Sequence, residues 1–214
     1  MQEVTTTELT DLVDAFLDGP RPLPIVQAGD PVLRRRSVGY EGQLGDARLA
    51  RLIEAMRETM RAAPGVGLAA PQVGIPLRLA VLEDPAEVPE EVARARGRVP
   101  VAFRVLVNPS YEPVGEGRAA FFEGCLSVSG WQAVVARHAR IRLRARDERG
   151  RELDEEFAGW PARIVQHETD HLDGTLYLDL AETRSLSAAR HMAERWSQPS
   201  PVKAAEELGF PLPG

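Results

Sequence analysis

The pentapeptide His167-Glu168-Thr169-Asp170-His171 restricts what this 214-residue chain can fold into more than any other stretch. On an α-helix, residues i and i+4 share a face and lie about 6 Å apart along the axis, so both imidazoles reach one metal ion. Glu168 projects from the neighbouring edge of that face, within reach of a proton on a metal-activated water. A helix is predicted here because Pro161 suits a first turn, Ile164 and Val165 are apolar, and Gly174 can close the C-terminus. On a surface helix the same residues would be merely solvated. The distinction turns on a third ligand, because hydrolytic metal sites generally have three protein ligands and one position for water. Downstream of His171 the only histidine is His191 and the first glutamate is Glu182, so the zinc-protease spacing is absent. Upstream lies Glu123-Gly124-Cys125-Leu126-Ser127, holding the single cysteine of the chain. One thiol excludes an intrachain disulfide, a multi-cysteine zinc module and a cluster held by several thiolates. A lone cysteine is ordinarily a small buried hydrophobe. A helix short of one ligand makes it a candidate.

The flanking texture indicates the fold class. Leu9, Leu12, Val13, Phe16 and Leu17 recur at helical spacing, and a second helix carries Leu49, Leu52, Ile53, Met56 and Met60 behind Asp46 as its expected N-cap. From Leu77 to Phe157 short β-rich runs take over: Leu79 to Leu82, Phe103 to Val107, Ala133 to Ala136, and Ile141 to Ala145. Asp84 to Arg98 is a charged insertion, expected as a surface loop or short helix. Arg140, Arg142, Arg144 and Arg146 alternate with apolar residues and meet Glu152, Asp154 and Glu156 across the turn 147–150. A hairpin with paired charges on its solvent face explains them better than a nucleic-acid site. Arg34-Arg35-Arg36 reads as a solvated loop. A helix from Arg190 to Trp196 and a Pro-containing tail from Pro199 to Gly214 end the chain. The order predicts an α+β fold with antiparallel β-strands wrapped around a central metal-binding helix, plus an extra N-terminal helix. Three segments are expected: an extension over 1–20, a catalytic domain over 21–184, and a terminal helix with tail over 185–214.

Gly65-Val66-Gly67-Leu68-Ala69-Ala70-Pro71-Gln72-Val73-Gly74 is the third informative block. It has neither a Gly-Lys-Ser/Thr ending nor G-x-G-x-x-G spacing, so a phosphate cradle is a weak reading. Small residues over this length fit a backbone that approaches another chain or a ligand closely, with the Gln72 amide at its end.

In this order, the three blocks resemble the motifs G-x-G-L-A-A-x-Q, E-G-C-L-S and Q-H-E-x-D-H of the peptide deformylases, and the similarity runs from about Pro24 to Thr183. The resemblance implies a metal-dependent amide hydrolase that removes the formyl group from N-formylmethionyl nascent peptides and releases formate. It implies Cys125, His167 and His171 as metal ligands and Glu168 as the acid/base. It also implies that Gln72 and the Leu126 N–H stabilise the oxyanion, and that Val66 and Gly67 meet the substrate main chain. Val66, Ile164 and Trp131, beside the motifs, are candidates for the methionine pocket. Trp131 stands in Ser129-Gly130-Trp131-Gln132, where many bacterial members carry a proline and a nearby arginine; a Gly-aromatic pair resembles another subgroup. The implied cofactor is one divalent ion, natively Fe²⁺, with Zn²⁺, Ni²⁺ or Co²⁺ as substitutes.

Net charge −6 offers no global attraction to nucleic acid. No stretch approaches the roughly 20 apolar residues of a membrane span. Met1 to Gly19 holds five acidic residues and no Lys or Arg, unlike a signal or transit peptide. A bacterial, cytoplasmic enzyme in transient contact with the ribosome is expected, as monomer or homodimer. Two rival functions share the pentapeptide: a metallopeptidase, which would not require Cys125, and an inactive deformylase-like binding protein, which would usually have lost a ligand or the glutamate.

Overall fold

The computed structural model describes residues 5–213. Helix α1 (Thr6–Leu17) opens with a reciprocal cap: the Thr5 hydroxyl accepts the Glu8 N–H, and the Glu8 carboxylate accepts the Thr5 N–H. Its Leu9, Val13 and Leu17 are buried in one core with Leu49, Leu52 and Met56 of α2 (Gly45–Ala62), the seam predicted for both helices. Asp46 is not the N-cap. Gly45, at φ 68°, already turns the chain with its N–H on the Gly42 carbonyl, so Asp46 falls in the first turn, where its charge suits the helix dipole.

The chain continues through β1 (Gly67–Ala69), β2 (Leu79–Asp84), α3 (Glu90–Arg96), β3 (Val101–Pro113), β4 (Arg118–Gly124), β5 (Trp131–His138), β6 (Arg140–Arg146), β7 (Glu152–Ala158), α4 (Gly159–Leu172), β8 (Ala181–Ala188), α5 (Ala189–Arg195) and α6 (Val202–Leu208). The charged insertion thus contains a short helix, and the Pro-containing tail contains α6. The reason lies in packing. Trp196, Ala204 and Phe210 close over Phe122 and Val134, covering one face of the β4–β5 pair, and α6 supplies that apolar surface.

The strands form two antiparallel sheets, β1-β2-β3-β6-β7 and β4-β5-β8. Helix α4 touches strands of both. Its Ala162, Ile164 and Val165 pack on Leu82, Leu106, Ile141 and Leu143 of the larger sheet. The smaller sheet turns a different face to it: by the alternation of a strand, Glu123, Ala133, Val135 and Arg137 lie opposite Phe122 and Val134, so charged groups meet α4 from that side. The β6–β7 hairpin forms as expected, with Arg142 opposite Glu156 and Arg144 opposite Asp154.

Candidate metal centre

Cys125, His167 and His171 converge, one ligand atom from each lying within 4.8 Å of the others. The two histidines share a face of α4, with ring centroids 4.9 Å apart. Cys125 arrives from the turn that leaves β4, and its Sγ lies 3.2 Å from His171 Nε2. Each imidazole has one nitrogen directed away from the cluster. His167 Nδ1 meets the Glu123 carboxylate at 3.1 Å, which fixes the ring and frees Nε2. His171 Nδ1 is buried without a hydrogen-bond partner among the described residues. One thiolate and two imidazoles in this arrangement suit Zn²⁺ or Fe²⁺ and leave further positions for water or substrate.

Glu168 is 4% exposed, and its Oε2 has no hydrogen-bond partner among the described residues. Burial pushes its carboxyl up to about 7, against the attraction of His167. A carboxyl titrating near neutrality can both take and return a proton. Gly67 explains how the side chain fits: a Cβ built at that residue would lie 2.2 Å from Glu168 Oε1. The close approach predicted for the glycine-rich block is therefore to this carboxylate. Gln72, 1% exposed, sits in a 3-10 turn over Ala70–Val73. Its Oε1 accepts the Ala69 N–H at 2.9 Å, which orients Nε2 to 3.4 Å from both Cys125 Sγ and Ser127 Oγ.

The remaining sequence candidates divide. Leu126 follows Cys125, its side chain against Gly65 and its carbonyl accepting Gln27 Nε2 at 3.0 Å. Val66 is half-buried, with its carbonyl holding the Glu83 N–H at 3.0 Å. Ile164 is 4% exposed and packs in the core described above, whereas Trp131 is 47% exposed at the start of β5. Trp131 is nonetheless linked to the cluster. Its carbonyl accepts the Tyr177 hydroxyl at 3.0 Å, and the Tyr177 ring stacks on His167.

Sequence reasoning gave no role to the charges behind the ligands. Arg137 forks onto Glu123 at 2.6 and 3.0 Å and reaches Asp170 at 2.7 Å; Arg163 also bonds Glu123, and Tyr111 donates to Asp170 at 3.0 Å. Two guanidiniums thus face two carboxylates in a buried group that carries His167. Burial alone would raise the Glu123 carboxyl, but Arg137, the His167 hydrogen bond and Arg163 outweigh it and hold Glu123 well below the usual range. Glu123 lay in the E-G-C-L-S block and Asp170 in the pentapeptide; nothing in the sequence ties Arg137 or Arg163 to them.

The sequence and the fold match one family of known proteins. Residues 22–186 match the family model described as polypeptide deformylase. Peptide deformylase 1 of Streptomyces coelicolor is 70% identical over 96% of this chain and 94% of its own length, and peptide deformylase 3 of Streptomyces avermitilis 71% identical over 96% and 92%. Among solved structures, the peptide deformylase of Thermotoga maritima superposes with a TM-score of 0.62 at 36% identity, covering 75% of this chain and 97% of that one. On this identity and coverage the chain belongs to the polypeptide deformylases, metal-dependent hydrolases that remove the N-formyl group from N-formylmethionyl peptides.

Proposed function

We propose that Cys125, His167 and His171 hold the metal of this deformylase, that Glu168 moves the proton, and that Gln72 Nε2 with the Leu126 N–H stabilises the oxyanion. The observation that carries the reading is the convergence of three ligand atoms beside one buried, unpartnered carboxylate. When bound, the divalent ion acts as a Lewis acid that polarises the formyl oxygen and acidifies water. Glu168 accepts the proton of the attacking water and passes it to the departing amine, leaving formate and a free methionine N-terminus. As the formyl oxygen gains charge, Gln72 Nε2 has no stronger partner than a thiol and a hydroxyl at 3.4 Å, so it is available to donate. Val66 and Gly67 on the β1 side, and Trp131 on the β5 side, are proposed to receive the peptide; burial of Ile164 leaves it at most a floor for the methionine side chain.

Fe²⁺ is the proposed native ion, on the mixed sulfur and nitrogen donors and the family resemblance. The family match over 22–186 supports a catalytic unit over 21–184 with extensions at either end. Nascent chains as substrates support a cytoplasmic site of action with transient ribosome contact. No helix of the described residues is long and apolar enough to cross a membrane.

The test is Glu168→Gln, purified anaerobically. Turnover of a formyl-Met peptide, read as formate, should fall about 10²- to 10⁴-fold while metal content stays at the wild-type level. Undiminished turnover would remove Glu168 from the mechanism, and zinc as the only metal after anaerobic purification from iron-replete cells would overturn the Fe²⁺ assignment.

A further inference from the structure

Helix α1 lies outside the residues matched by the family model, yet it packs against the turn that carries Gln72. Ala70, Val73 and Ile75 share a buried core with Leu9, Val13 and Leu17 of α1. Phe16 approaches the end of that turn closely. Gly74 ends the 3-10 turn at φ 82°, its N–H on the Ala70 and Pro71 carbonyls, and the Phe16 ring covers the side where a Cβ would be. A Cβ built there would lie 2.7 Å from Phe16 Cζ and 3.4 and 3.5 Å from the two Cε atoms. The Gln72 side chain of the same short turn reaches Cys125, its Nε2 lying 3.4 Å from Sγ. The turn therefore meets α1 at Gly74 and the ligand thiol at Gln72. Helix α1 is fixed in turn by its cap at Thr5 and by the Arg48 fork on Asp14 at 2.7 and 3.0 Å.

We propose that α1 is a positioning element for the reaction: Phe16, pressed on Gly74, fixes the Ala70–Val73 turn and thereby aims the Gln72 carboxamide at the reacting centre. This rests on the assignment of Gln72 as an oxyanion donor. Phe16 acts through Gln72 and not by contact with substrate or metal. Loss of a whole oxyanion donor lowers turnover by about 10²- to 10³-fold. A donor kept but left free to wander loses part of that, so Phe16→Ala is expected to lower kcat about tenfold, with KM and metal content unchanged. Phe16→Leu, which keeps most of the apolar volume, recovers more than half of the wild-type kcat.

Three comparisons separate positioning from plain loss of stability. Phe210→Ala removes a buried side chain from a separate cluster, over Phe122 and Val134; assayed well below its unfolding midpoint, it should keep wild-type kcat. Phe16→Ala made in a Gln72→Ala background should cause no further loss of kcat, because the group it positions is gone. Should Phe16→Ala not fold, Phe16→Tyr takes its place, since its hydroxyl would extend from Cζ towards Gly74 and displace the turn. Wild-type kcat in the Phe16 variants, an equal loss in Phe210→Ala, or a loss that persists in the Gln72→Ala background would overturn the proposal. If Gln72→Ala alone turns over normally, the Gln72 assignment fails and takes the proposal with it. If Gln72→Ala is impaired while Phe16 variants are not, Gln72 stands and only the role of α1 falls.

Discussion

On the outer face of the β6–β7 hairpin, Arg142 forks onto Asp154 at 2.5 and 3.0 Å with both side chains nearly half exposed; behind the metal cluster, Arg137 forks onto Glu123 at 2.6 and 3.0 Å with both almost wholly buried. The bonds are alike in length and in kind, and their surroundings make the difference. At the hairpin, water competes for both partners and salt screens them, so the pair adds little to stability. Around Glu123, burial shields the partners from solvent, and the group stands only because two guanidiniums and two carboxylates are present together. The outer pairs keep a strand face soluble and in register. The inner group holds His167 in place for the reaction.

The comparison breaks most visibly at Glu123. Glu123→Ala would leave Arg137 and Arg163 facing each other without their shared carboxylate, at about 3–5 kcal/mol of stability. It would also release His167 Nδ1, and loss of such an outer partner weakens metal affinity about 10- to 100-fold. Denaturant midpoints and competitive metal titration measure the two effects. A midpoint within error of wild type would mean that the buried group behaves like the hairpin pairs.

Acid should find the same group. Glu123 is held below its unfolded value, so its stabilisation is complete above about pH 4.5 and fades as the pH falls further, towards its folded pKa. Glu123→Gln, which has no charge to lose, should show a flatter acid limb in melting temperature against pH. A wild-type slope in that variant would move the acid sensitivity elsewhere.

What was legible in the sequence follows the same division. The hairpin could be read because period-2 alternation and a Gly-containing turn are local signals, and its charges pair with near neighbours. The pentapeptide could be read because its spacing matches one turn of helix. Strand β8 escaped, since Ala181–Ala188 mixes polar and apolar residues and is defined only by pairing with β5. Strand β4 escaped because Phe121 and Phe122 face opposite sides of a sheet whose outer cover, α6, comes more than 75 residues later. The Arg137–Glu123–Arg163 group was illegible for a related reason: its members come from three elements, and a buried arginine looks the same in sequence as an exposed one. Tyr177, which bridges the Trp131 carbonyl and the His167 ring, carried no motif at all.

The smallest expected effect sharpens the comparison most. Arg142→Ala should leave the unfolding midpoint unchanged within error, because both partners are solvated with or without the bond. The pair is nonetheless electrically real. The Arg142 hydrogen bond, helped by the Arg142 and Arg144 charges, holds the Asp154 carboxyl below its ordinary value, so in Arg142→Ala its NMR titration should move upward. High salt should move it the same way in the wild type, since screening at 1 M acts over about 3 Å. Salt should leave the acid limb assigned to Glu123 nearly untouched, because burial keeps ions at a distance from both partners. An equal response to salt at both places would show that the inner group is wetter than its packing implies, and that burial is not what separates the two.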